Sequence, residues 1–296
     1  MGVATFIGVL YTPAVVASQL EASQSQQDII WLVEDKIENK DLLTKKSPES
    51  STASYIENLV IQQLTPYRVQ VKRMTTSRIN RILSTEDNIC VANRGNTQER
   101  REYSLFSDPQ SFYLTHKLYR FNQKTPLPRQ LFNDKGEIKS LPEVFQVLPT
   151  QTIGIAKDVS LGKFFDQQIK EIPSNNIYYR GGTHRVVAME SMLYKSRVDF
   201  LLALPVDINP DQTQKQHLEQ YTVAGAPPYL IAHFNCSKSE IGQKIIKDIN
   251  NILAKLYQSK EYFQAHKRWF TDKQLADLQL FLAQKFPNNR YINSIK

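Results

Sequence analysis

DIIWLVE at residues 28–34, together with SYIENLVIQQLTPYRVQVKRMTTSRINRILSTEDNICVAN at residues 54–93, switches repeatedly between two hydrophobic periods. Asp28 to Glu34 is an almost unbroken apolar run, as in a strand buried on both faces. Ser54 and Glu57 have the spacing of a capping box, and Ile56, Leu59, Val60 and Leu64 follow at helical intervals until Pro66 ends the helix. Tyr67 to Met74 (YRVQVKRM) alternates as a second strand, Ser77 to Leu83 makes a short helix, and Asn88 to Asn93 (NICVAN) a third strand. Strand, helix, strand, helix, strand is a βαβαβ unit, so a parallel sheet is expected. The polar stretch from Asn39 to Ser54 reads as a surface loop.

Further along, Ser111 to Tyr119 (SFYLTHKLY) reads as another strand, and the stretch through Arg129 as a crossing into a second lobe. That lobe opens with a helix at Ser140 to Val147 and a strand at Thr152 to Ala156 (TIGIA). Asp158-Val159-Ser160 reads as the N-terminal cap of a helix carrying Leu161, Phe164 and Phe165. A short strand at Ile177 to Tyr179 follows, then a helix at Thr183 to Tyr194 with Val186, Val187, Met189, Met192 and Leu193 inward. Val198 to Leu204 (VDFLLAL) is a buried strand, and Pro205 to Gln220 is polar. Tyr229 to Phe234 (YLIAHF) reads as the strand that returns to the first lobe. Ser237 with Glu240 caps a long helix striped by Ile241, Ile245, Ile249, Ile252, Leu253 and Leu256, and Thr271 with Gln274 opens a last helix. The expected division is lobe 1 from 18–120 and 229–296, and lobe 2 from 121–228. Two crossings make a two-strand hinge and leave a cleft, where small-molecule sites often lie.

Composition narrows the function. A length of 296 residues suits two domain-sized units, and 41% hydrophobic with 22% charged residues allows a normal core. The net charge of +8 is dispersed, with no block of five or six like charges, and the Arg100-Arg101 cluster is flanked by Glu99 and Glu102, which argues against a nucleic-acid partner. Val3 to Ala17 (VATFIGVLYTPAVVA) carries no charge and is too short for a relaxed membrane span. With Val15-Val16-Ala17 as a cleavage site, residues 1–17 read as a signal peptide, although Met1-Gly2 brings no Lys or Arg. The other reading of this run is a buried first element. A low, even count of cysteines, Cys90 and Cys236, suits an oxidising compartment, either as a disulfide or as two buried thiols. His116, His184, His217, His233 and His266 show no metal-ligand spacing, Gly181-Gly182-Thr183 lacks the spacing and Lys of a phosphate loop, and no nucleophile elbow occurs. No metal, cofactor or catalytic residue is therefore expected.

Four segments carry a resemblance. Thr97-Gln98-Glu99-Arg100 followed by Tyr103-Ser104-Leu105-Phe106-Ser107 is a T-x-x-R…F-S run after the third strand. Thr152 to Ala156 leads into a helix start, Lys195-Ser196-Arg197-Val198-Asp199 is close to a G-R-x-D segment with Ser196 in place of Gly, and Tyr229-Leu230-Ile231-Ala232 precedes a long helix. Over about residues 28 to 270 the chain resembles the extracellular solute-binding proteins of bacterial ABC transporters, family 3. The resemblance implies a type II periplasmic-binding-protein-like α/β fold: two lobes, each a mainly parallel sheet flanked by helices.

The same resemblance implies that Arg100 grips a carboxylate, which its planar fork of donors matches bidentately. From the residues alone, Glu99-Arg100-Arg101-Glu102 reads first as a solvated charge run. Thr97 would add a donor, and the loop from Asn93 to Asn96 backbone N–H groups. Ser160 would reach the same anion from the opposite lobe, and Asp199 comes with the G-R-x-D match. Members with a Cys before T-x-x-R and another after the return strand are the most similar variety, which would put Cys90 and Cys236 on neighbouring strands. Two departures bear on the ligand: Leu204 stands where amino-acid binders have an acid, with Asp207 further along, and Glu34-Asp35-Lys36 replaces an aromatic loop.

The expectation is a monomeric, exported, periplasmic protein that captures a small anionic or zwitterionic solute for a membrane permease. A sensory or orphan module of the same fold, feeding a membrane signalling protein, is one alternative. An enzyme using the cleft is another, and would need an acid or nucleophile there.

Overall fold

In the computed structural model, residue 2 and residues 26–34, 52–122, 125–157, 159–182, 184–267 and 269–285 are described. The expected signal peptide and most of the expected loop at 39–54 lie outside them. Two five-stranded sheets organise the chain.

The first sheet holds β1 (Gln27–Glu34), β2 (Tyr67–Met74), β3 (Ile89–Arg94), β4 (Ser104–Leu114) and β10 (Tyr229–Ser237), in the order β2-β1-β3-β10-β4. β1 runs parallel to β2 and β3, and β10 runs antiparallel to β3 and β4. Side chains alternate along β1: Ile29, Trp31 and Val33 enter the main core with Phe112 and Phe234, while Leu32 faces Ile79 and Leu83 on the other side. The first core is roofed by α1 (Thr52–Ile61), α8 (Glu240–Leu256), α9 (Lys260–Lys267) and α10 (Asp272–Lys285), the second by α2 (Thr76–Thr85).

The second sheet holds β5 (Lys117–Phe121), β6 (Ile153–Ala156), β7 (Ile177–Arg180), β8 (Phe200–Ala203) and β9 (Leu218–Tyr221), in the order β7-β6-β8-β5-β9. Helices α4 (Leu141–Val147) and α5 (Lys163–Lys170) bury Phe145, Phe165 and Ile169 on one face, and α6 (Arg185–Tyr194) buries Met189 and Leu193 on the other.

Several elements differ from the sequence reading. The strand expected at Ser111 to Tyr119 is two strands in different sheets, broken at Thr115-His116, where Thr115 N–H donates to Pro228 O (3.2 Å) on the returning segment. Ser54 is not a cap: α1 already begins at Thr52, and Glu57 accepts instead from the Trp31 indole N–H (2.6 Å). The cap of α8 is Ser239, not Ser237; its side chain accepts from Gly242 N–H (3.0 Å). Val187 points outward at 63% exposure. The polar stretch from Pro205 hides α7 (Gln212–His217) and β9. β9 is an edge strand, so polar residues such as Glu219 are tolerated there and no apolar alternation marks it.

Two buried histidines make the fold acid-sensitive. The His266 ring accepts from Phe112 N–H at Nε2 (3.1 Å), so its Nδ1–H donates to Tyr262 O (2.8 Å), and burial holds its pKa down to about 4. His116, edge-on to Phe165 at the crossing, is also pushed down to about 4 by burial. Both folded pKa values lie below the unfolded value near 6.5, so the unfolded chain binds more protons between pH 6.5 and 4. Their contribution is therefore complete above pH 6.5 and lost as pH falls through that window, by about 3 kcal/mol per ring. Glu57 works in the opposite sense: burial raises it to about 7, so its contribution is complete below pH 4.5 and lost as pH rises through 7. Urea denaturation at pH 7 and pH 5 should show a shallower acid loss for His266→Gln and a steeper one for Glu57→Gln than for the wild type. Equal slopes in all three would contradict these assignments.

Candidate functional site

In an open α/β sheet the ligand crevice lies beyond the carboxyl ends of the strands, where the strand order reverses. In the first sheet that point falls between β1 and β3, which end at Glu34 and Arg94. In the second it falls between β6 and β8, which end at Ala156 and Ala203. The loops leaving these strands contain most of the residues singled out above.

Asn93 turns the chain out of β3 in the left-handed region (φ 58°), which Asn tolerates better than most residues. The turn is anchored from below: Asn93 N–H donates to Gln110 Oε1 (2.7 Å), and the Tyr113 hydroxyl donates to Asn93 Oδ1 (3.0 Å). Asn96 Oδ1 accepts from Arg101 Nε (2.6 Å). Thr97 caps the short helix α3 (Gln98–Tyr103), accepting from Arg100 N–H (3.3 Å). Arg100 is only 8% exposed, and among the described residues its guanidinium makes one hydrogen bond, from Nη1 to Gly95 O (2.8 Å). The planar fork of donors on a guanidinium has the chemistry to bind an anion.

The opposite wall is the loop after β6. A Cβ built on Gly95 would lie 3.6 Å from Arg100 Nη1 and 3.8 Å from the Ser160 Oγ, so the loops of the two sheets meet at this point. Ser160 is not a helix cap. The cap of α5 is Gly162 (φ 91°), and the Ser160 hydroxyl donates to Asp166 Oδ2 (2.5 Å) while accepting from Gly162 N–H (3.1 Å). Its proton is committed, so Ser160 shapes the wall rather than donating to an anion. Two more contacts join the sheets: Arg185 at the start of α6 pairs with Glu34, and Leu204 and Val206 pack with Ala53 and Tyr113.

Asp199 is not brought to this place. Its carboxylate accepts from Thr152 N–H (2.7 Å) and Oγ1 (3.1 Å) at the opposite ends of β6 and β8. There it ties two strand starts together. Ser196, which replaces the Gly of the resembled motif, sits in the left-handed region at φ 51°. Cys90 and Cys236 lie directly opposite on β3 and β10 and form a disulfide with Cα atoms 4.1 Å apart. Among the described residues, no group of three or more His, Cys, Asp or Glu could hold a metal ion, and no helix is long and apolar enough to cross a membrane.

Sequence reading named neither Arg94 nor Arg185 as a site residue, and met Glu34 only as a departure from the family's aromatic loop. Arg94 is 93% buried (7% exposed); burial first and then the neighbouring Arg100 charge hold its pKa down to about 9. Two of the three could have been found, because Glu34 and Arg94 end the strands at a switch point. Nothing in the sequence marks Arg185 beyond its place at a helix start. Asp207 acts electrostatically on Tyr113 and Tyr119, so this carboxylate lies near the hinge side of the same region.

No family model matches the chain, and no curated protein matches it. Solved structures do. A mutant of ArgBP from T. maritima superposes with a TM-score of 0.58 at 13% identity, covering 83% of this chain and 96% of that one. The substrate binding protein of an amino acid ABC transporter gives 0.56 at 16%, covering 82% and 99%. An ABC uptake transporter substrate binding protein from Streptococcus pneumoniae with bound histidine gives 0.55 at 17%, covering 84% and 94%. At these identities the likeness establishes the fold, the two-lobed α/β architecture of periplasmic binding proteins.

Proposed function

We propose that this chain is an exported solute-binding protein of an ABC-type importer, which captures a small carboxylate-bearing solute between its lobes and performs no chemistry on it. The observation that carries the reading is the Arg100 guanidinium, buried at the switch point of one sheet and facing the Ser160 loop of the other. The similar structures, one the substrate binding protein of an amino acid ABC transporter and one with bound histidine, support a solute of amino-acid size. A solute touching both loops favours the closed arrangement by its differential affinity for it, and a membrane permease reads that state. The disulfide supports an extracytoplasmic setting.

A thermal-shift screen of amino acids, small carboxylates and oligosaccharide fragments tests the proposal. At least one carboxylate should raise the melting temperature, and the neutral sugars should not. Stabilisation by sugars alone would contradict it.

Gly95 offers a second check. A Cβ there meets only ordinary contacts, but a longer side chain fills the space between Arg100 and Ser160. Gly95→Leu should unfold as cooperatively as the wild type yet bind the solute at least about tenfold more weakly by calorimetry. Unchanged affinity would remove Gly95 from the site.

A further inference from the structure

Arg100 does not stand alone. Arg94, Arg100 and Arg185 are 7%, 8% and 9% exposed, and Arg94 interacts electrostatically with both of the others. They come from three elements and both sheets: Arg94 ends β3, Arg100 lies in α3, and Arg185 opens α6. The described carboxylate among them is Glu34, which accepts from Arg185 Nη1 and from Thr76 Oγ1. Neutral oxygens take one hydrogen bond each from the other two, Asn80 Oδ1 from Arg94 and Gly95 O from Arg100. The Nε groups of Arg94 and Arg185 are buried with no hydrogen-bond partner.

Three buried guanidiniums beside one described carboxylate leave positive charge uncompensated, which is costly away from water. A bound anion removes that cost. One carboxylate on Arg100 does not complete the balance, because among the described residues Arg94 is hydrogen-bonded to no carboxylate, and Glu34, which acts on it electrostatically, is already paired with Arg185.

We propose that the solute carries a second anionic group, held by Arg94 beside the Glu34–Arg185 pair, so that the preferred ligands are dianions such as dicarboxylates. This rests on the solute-binding reading above and names the class of its ligand. The place fits: Glu34 and Arg94 end adjacent strands at the switch point, and Arg185 reaches them from the other lobe, so the second group also bridges the lobes. Arg94 is thus a specificity-determining residue, separate from the Arg100 fork.

Calorimetry of the mature chain at low ionic strength, with two matched pairs of probes, tests this. Glutarate should bind at least about tenfold more tightly than butyrate, and L-glutamate at least about tenfold more tightly than L-glutamine. Arg94→Gln should reduce both ratios to within about twofold, whereas Arg100→Gln should weaken all binding. The wild-type ratios alone can overturn the inference, so it does not depend on how well a variant folds. Equal binding of dianion and monoanion, still lost in Arg100→Gln, would overturn the second anionic group and leave the solute-binding reading intact. Binding of none of the four probes, with no carboxylate raising the melting temperature, would overturn both.

Discussion

Replacing Arg100 by alanine should remove most of the ligand-induced stabilisation. At a solute concentration 100-fold above Kd the wild type gains about 2.7 kcal/mol, and the variant should gain less than about 1 kcal/mol at the same concentration. Truncating one partner of a buried, hydrogen-bonded charge pair costs about 2–5 kcal/mol, which is about 30-fold to several thousand-fold in Kd. Arg100→Lys should fall between the two, because it keeps the charge and loses the planar fork. The unliganded variant should remain folded. Among the described residues the Arg100 guanidinium makes a single hydrogen bond, to Gly95 O, and its charge opposes that of Arg94. Retention of full stabilisation by the alanine variant would show that the solute sits elsewhere.

The second large effect concerns the disulfide. Cys90 and Cys236 are fully buried, and the bond between them spans 146 residues of sequence. That closed loop contains every strand of the second sheet, β5 to β9. A cross-link over so long a loop strongly restricts the unfolded chain, and its loss costs about 2–5 kcal/mol. The double variant Cys90→Ala with Cys236→Ala should therefore show a markedly lower urea midpoint with cooperative unfolding preserved. It should still bind the solute, because neither sulfur is in the site. An unchanged midpoint, or two free thiols found on denaturing the wild type, would contradict the bond.

Legibility in the sequence followed the physics of burial. β1 and β3 were readable because a parallel sheet buries them on both faces, and β2, at the sheet edge, because its apolar residues alternate. β9 was not, because an edge strand needs no apolar alternation, and the break at Thr115-His116 was not, because the apolar run continues through a change of sheet. Cap positions slipped by two residues at Ser160 and Ser237, and the helix expected from Ser54 begins earlier, at Thr52, since only the folded backbone chooses between neighbouring candidates. In the site, Arg100 and Thr97 came from a motif. Arg94 and Arg185 belong to no motif, and their meeting depends on two sheets closing together. Asp199 shows the converse: a motif residue that holds two strands together.

The most direct test is a crystal structure of the protein with the solute that gives the largest thermal shift. An anionic group is expected within about 3 Å of the Arg100 guanidinium nitrogens, enclosed by the Ser160 loop. Solute bound away from Arg100, with that guanidinium still bonded to Gly95 O alone, would contradict it.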